Sequence, residues 1–74
     1  MNYMDLYNAC DTRANKGLEE LMNFVFFETK DLLLTKSEWN GITTIEVEYF
    51  VDNDCVVTEL LGCWEFNEKG KLIE

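Results

Sequence analysis

The chain has 74 residues and a mass of 8.7 kDa, enough for a single domain, residues 1–74, whose core is stable but not large. Fifteen Asp and Glu against six Lys and Arg give a net charge of −9. Such a chain repels DNA, RNA and anionic lipid, because holding phosphates needs clustered cations. It has no histidine, so the commonest general acid–base near neutral pH and the commonest metal ligand are both missing.

The first third of the chain carries helical spacing. Leu6, Cys10 and Ala14 fall on one face with Tyr7 beside them, and Leu18, Leu21, Met22, Val25 and Phe26 continue at three- and four-residue steps. Asn15-Lys16-Gly17 interrupts that pattern in the manner of a helix end or kink. Two short helices, or one bent helix, are therefore expected. Asp5 near the first N-terminus, and Glu19 and Glu20 near the second, complement the helix dipoles.

From Thr29 the periodicity changes to two. Leu32 to Trp39, Ile42 to Val51 and Val56 to Phe66 each read as strands rich in β-branched and aromatic residues. Asn40-Gly41 is a strong type I′ hairpin signal, since both residues tolerate positive φ. Asp52-Asn53-Asp54 marks a second turn and Asn67-Glu68-Lys69-Gly70 a third, leaving Lys71 to Glu74 as a short edge strand. The expected fold is α+β: two short N-terminal helices packed on one face of a four-stranded antiparallel β-meander.

Two-residue loops at Asn40-Gly41 and Asn53-Asp54 set a definite register. They collect Leu32, Leu34, Ile45, Val47, Tyr49, Val51, Val56, Thr58, Leu60, Trp64 and Phe66 on the face to be covered by helices. A three-residue second loop turns Glu59 onto that face, which is costly without a partner, so burial favours the shorter one. The other face then holds Thr44, Glu46, Glu48 and Phe50 beside Glu59, Leu61, Cys63 and Glu65, with Glu48 directly opposite Glu59. From Ser37 to Glu68 there are eight carboxylates and no Lys or Arg. Apolar Leu33, Trp39, Ile42, Phe50, Val57 and Leu61 sit among them. An apolar patch rimmed by charge is more typical of a protein-binding surface than of plain solvent exposure.

Other chemistry finds little support. Cys10, Cys55 and Cys63 are odd in number and lack CxxC or zinc spacing, so reduced, partly buried thiols and no metal or cofactor are expected. Asp52-Asn53-Asp54 lacks the glycine and distal glutamate of a calcium loop. Glu48 and Glu59 are a weak candidate for a catalytic pair in a domain without room for a cleft. No apolar run approaches the roughly 18–20 residues that span a bilayer, and no signal-type segment opens the chain, so a cytoplasmic location is expected.

Together these features point to a protein that binds another protein rather than to an enzyme. The expected function is that of a small acidic inhibitor blocking a cationic nucleic-acid-binding site on an enzyme. Phage anti-CRISPR, anti-restriction and other DNA-mimic proteins are of this compositional kind. The expected partner contacts are Glu46, Glu48, Asp52, Asp54, Glu59 and Glu65, with Trp39, Phe50 and Leu61. An immunity or antitoxin-like protein neutralising a basic nuclease would use the same surface. A structural or adaptor subunit, forming a homodimer through the outer sheet face, is the third reading.

Overall fold

The structure, a computed structural model, describes residues 2–29, 31–52, 54 and 56–73. Helix α1 (Tyr3–Lys16) starts where the Asn2 side chain accepts a hydrogen bond from the Asp5 N–H at 2.9 Å. It ends at Gly17, whose φ of 135° few side chains tolerate and whose N–H returns to the carbonyls of Arg13 and Ala14. The next amide, Leu18 N–H, donates to the Gly70 carbonyl at 2.9 Å. The kink is thereby tied to the far end of the sheet. Helix α2 (Leu18–Asn23) then runs into a π-helical turn over Phe24–Glu28. Its extra residue carries Phe24 and Val25 into the core and leaves Phe26 and Phe27 exposed. The simple helical spacing, which placed Phe26 inside, is corrected by that widened turn.

The sheet has four antiparallel strands in the order β1 (Leu32–Trp39), β2 (Ile42–Phe50), β3 (Thr58–Phe66) and β4 (Leu72–Ile73). Asn40 and Gly41 take φ of 52° and 78°, and Leu32 pairs with Tyr49, as the hairpin signal predicts. The third turn is also as expected. Asn67 Oδ1 accepts from the N–H groups of Lys69 and Lys71, and Gly70 supplies the positive φ.

The β2–β3 register departs from the expected one. Ile45 pairs with Trp64 and Val47 with Gly62, but Glu48 pairs with Leu60, so a β-bulge sits at Leu61. Beyond it Tyr49 faces Glu59 and Phe50 faces Thr58. The bulge points both Leu61 and Trp64 inward, which strict alternation forbids because they lie three residues apart. Leu61 is 2% exposed and Leu60 54%, the reverse of the alternating assignment. Tyr3 satisfies the bulge, its hydroxyl donating to the Leu61 carbonyl at 2.9 Å. The third strand also begins at Thr58 rather than Val56, and Val51 and Val56 are exposed rather than covered. Asn53 of the proposed two-residue loop, and Glu74 of the last strand, lie outside the described residues.

Every buried sheet residue (Leu32, Thr43, Ile45, Val47, Leu61, Trp64 and Phe66) lies on the side of the helices. Cys10, Ala14, Leu21, Phe24 and Val25 meet them there. Trp64 packs beside Tyr7 and donates from its indole nitrogen to Asp11 at 3.2 Å. Among the described residues no helix is long and apolar enough to cross a membrane.

Cys10 gives this core a pH limit. Burial pushes its thiol up to about 11, only partly opposed by the nearby Arg13. The folded state keeps a proton that an unfolded thiol gives up near pH 9, so stability is level below about pH 9 and falls as the pH rises through about 11. Denaturant midpoints for wild type and Cys10→Ala should therefore converge between about pH 8 and about pH 10.5. An unchanged gap would mean that Cys10 does not contribute to the alkaline loss.

Candidate protein-binding face

The sheet's outer face has no buried residue and no helix against it among the described residues. Pairing arranges it in rows. Leu33, Glu48 and Leu60 form one, and Thr35, Glu46 and Cys63 the next. Ser37, Thr44, Glu65 and Ile73 form another, flanked by Trp39 beside Ile42. At the opposite end Phe50 lies beside Thr58.

Glu46 and Glu48 are two apart on one strand, so their Cα atoms are about 6.6–6.8 Å apart. Glu65 lies diagonally across from Glu46, about 7–8 Å away. Thr58 Oγ1 donates to Glu48 Oε1 at 3.1 Å and steadies that carboxylate. The ion pairs among the described residues are Arg13–Glu28 and Lys36–Glu38, and neither reaches this trio. Among the described residues these three carboxylates thus share the face without an ion pair, with Leu33, Phe50 and Leu60 grouped around Glu48.

The structure divides the contact residues expected from sequence. Glu46, Glu48, Glu65, Phe50 and Trp39 share the outer face, with Trp39 78% exposed. Leu61 is in the core, because the bulge turns it inward. Glu59 lies on the helix side, where it accepts a 2.7 Å hydrogen bond from the Tyr49 hydroxyl. That bond, with some burial, holds the Tyr49 hydroxyl above its ordinary pKa. Asp52 is folded into its own loop, Oδ1 accepting from the N–H groups of Val56 and Val57. Asp54 is exposed in the same loop. Leu60 and Thr58, which alternation assigned to the covered face, complete the outer one.

Glu48 and Glu59 do not face each other but sit on opposite sides of the sheet, so the candidate carboxylate pair is not formed. Cys63 is exposed rather than partly buried, and Cys55 lies outside the described residues. Desolvation, then Glu46 and Glu65, raise the Cys63 thiol, making it a poor nucleophile. Among the described residues no group of three or more Cys, Asp or Glu side chains is placed to hold a metal ion. Comparison with protein-family models, curated proteins and solved structures finds no match to this chain.

Proposed function

We propose that this protein is a stoichiometric inhibitor whose outer sheet face docks on a cationic, nucleic-acid-binding surface of another protein. The observation that carries this reading is one uncovered face holding Glu46, Glu48 and Glu65 among Leu33, Phe50 and Leu60. Carboxylates at strand spacing meet Lys and Arg that otherwise hold phosphates, and the apolar neighbours exclude water around those pairs. The face is held rigid by sheet hydrogen bonding and by the core beneath it, so docking costs little ordering. Activity comes from occupancy rather than turnover. The target class is a nucleic-acid enzyme of the kind that phage inhibitors block, such as a CRISPR or restriction enzyme, met in the cytoplasm.

Affinity capture tests this directly. Wild type and a Glu46→Lys/Glu48→Lys/Glu65→Lys variant are offered purified CRISPR and restriction enzymes, with DNA or RNA as competitor. Retention by wild type alone, reversed by nucleic acid, is the expected result. Equal retention by both baits, or indifference to nucleic acid, would overturn it.

A further inference from the structure

The β1 edge of the sheet, which carries Leu33 and Trp39 of the outer face, offers a second candidate contact. Among the described residues strand β1 is an edge strand, paired with β2 alone, and Thr35 to Trp39 are all exposed. It runs without a bulge and the chain has no proline, so two usual protections of a sheet edge are missing. Its lysine, Lys36, is neutralised by Glu38 at 3.3 Å. The two-residue hairpin makes Trp39 and Ile42 the hydrogen-bonded pair next to the turn. By alternation Leu32, Leu34, Lys36 and Glu38 then aim their N–H and C=O groups outward, away from β2.

We propose that the protein forms a homodimer by antiparallel pairing of β1 with β1 of a second copy, with Lys36 on the two-fold axis. In that register Lys36 meets Lys36 of the second copy and Leu34 meets its Glu38, so that outward-aimed residues face one another, as an antiparallel ladder requires. Leu33 comes opposite Trp39 of the second copy, and Trp39 opposite Leu33. Both are exposed in the single chain, at 45% and 78%. Such residues form the close, non-hydrogen-bonded pairs in which side chains touch most fully. Thr35 and Ser37 pair between them.

Charge opposes self-association less at this edge than at the outer face. In a chain of net charge −9, the outer face sets Glu46, Glu48 and Glu65 against themselves if two copies meet there. Across paired β1 edges Lys36 directly faces Lys36 of the second copy, a like-charge contact offset by its own Glu38 at 3.3 Å and by the second copy's Glu38 on the diagonal, so the four charges sum to zero. The pairing joins two sheets into one and sets their acidic faces side by side. It does not depend on the proposed target.

Sedimentation of the full chain in reductant, from about 1 μM to about 1 mM, tests the proposal, since so short a seam gives a weak, reversible dimer. Lys36→Glu places four glutamates on the seam and should weaken dimerisation at least about ten-fold, as should Trp39→Ser. The exchanged pair Lys36→Glu/Glu38→Lys restores the neutral quartet and should return affinity to within about three-fold of wild type. All three changes lie on exposed side chains, and circular dichroism verifies that each variant is folded. A monomer at every concentration overturns the proposal. So does a dimer indifferent to Lys36→Glu and Trp39→Ser, because its seam lies elsewhere.

Discussion

Gly62→Val is expected to lower stability by about 3 kcal/mol, and Gly62→Ala by a smaller but still clear amount. Two effects compete at this position. Glycine inside a strand is normally a weakness, and replacing it normally gains about 0.5–1 kcal/mol. Here a Cβ would lie 2.5 Å from Cη2 of the Trp64 ring and 3.0 Å from two further ring carbons. That ring cannot swing away freely, being 5% exposed, packed on Tyr7 and tethered to Asp11. The clash wins. In a domain of this size the valine variant should melt roughly 12–24 °C lower. Trp64→Leu in the valine background should recover part of the loss, since it removes the obstructing ring. A Gly62→Ala protein as stable as wild type would show that the indole has room to move.

The same glycine explains where sequence reading stopped. The first hairpin was legible because Asn40-Gly41 admits one loop length, and a single loop length admits one register. The second loop has no comparable signal, so in the sequence only the number of apolar residues per face distinguishes its registers. Strict alternation can satisfy that count with Leu60, Trp64 and Phe66 inside, at the expense of Leu61. The chain instead inserts a bulge, with Gly62 beside it giving the indole its space. A glycine inside a strand-like run is the available signal for such a bulge. Glu59 costs little on the helix side, because the Tyr49 hydroxyl partners it where it remains exposed to water.

For the candidate face, the β2 residues and the part of β3 after the bulge are legible in the sequence, and the part of β3 between the loop and the bulge is not. Glu46, Glu48 and Phe50 depend on the phase of β2, which the first hairpin sets. Glu65 and Cys63 were placed correctly because they share the parity of the outer face on the far side of the bulge. Glu59, Leu60 and Leu61 lie on the side where one inserted residue reverses inside and outside. Asp52 leaves the face for a local reason. Its carboxylate is occupied by the N–H groups of Val56 and Val57, an arrangement that short acidic side chains favour in loops. The eight carboxylates of the basic-free stretch therefore do not make one array, and the acidic face is a trio set among apolar residues.

That mixed composition predicts a kinetic division of labour against a cationic target. Glu46→Lys/Glu48→Lys/Glu65→Lys should slow association by about 10–100-fold at low salt and abolish its salt dependence. Long-range attraction acts on the encounter, and a screening length of about 8–10 Å near physiological salt reduces it. Leu33→Ser/Leu60→Ser should leave association nearly unchanged and raise the dissociation rate about 10-fold or more, because desolvated apolar contacts act once the complex has formed. Both leucines are already half-exposed in the free protein, at 45% and 54%, so these changes should barely alter its stability. Stopped-flow binding across a salt series separates the two rates. If the glutamate variant associated at the wild-type rate while the leucine variant lost binding, the face would work as an apolar interface and its carboxylates would serve solubility alone.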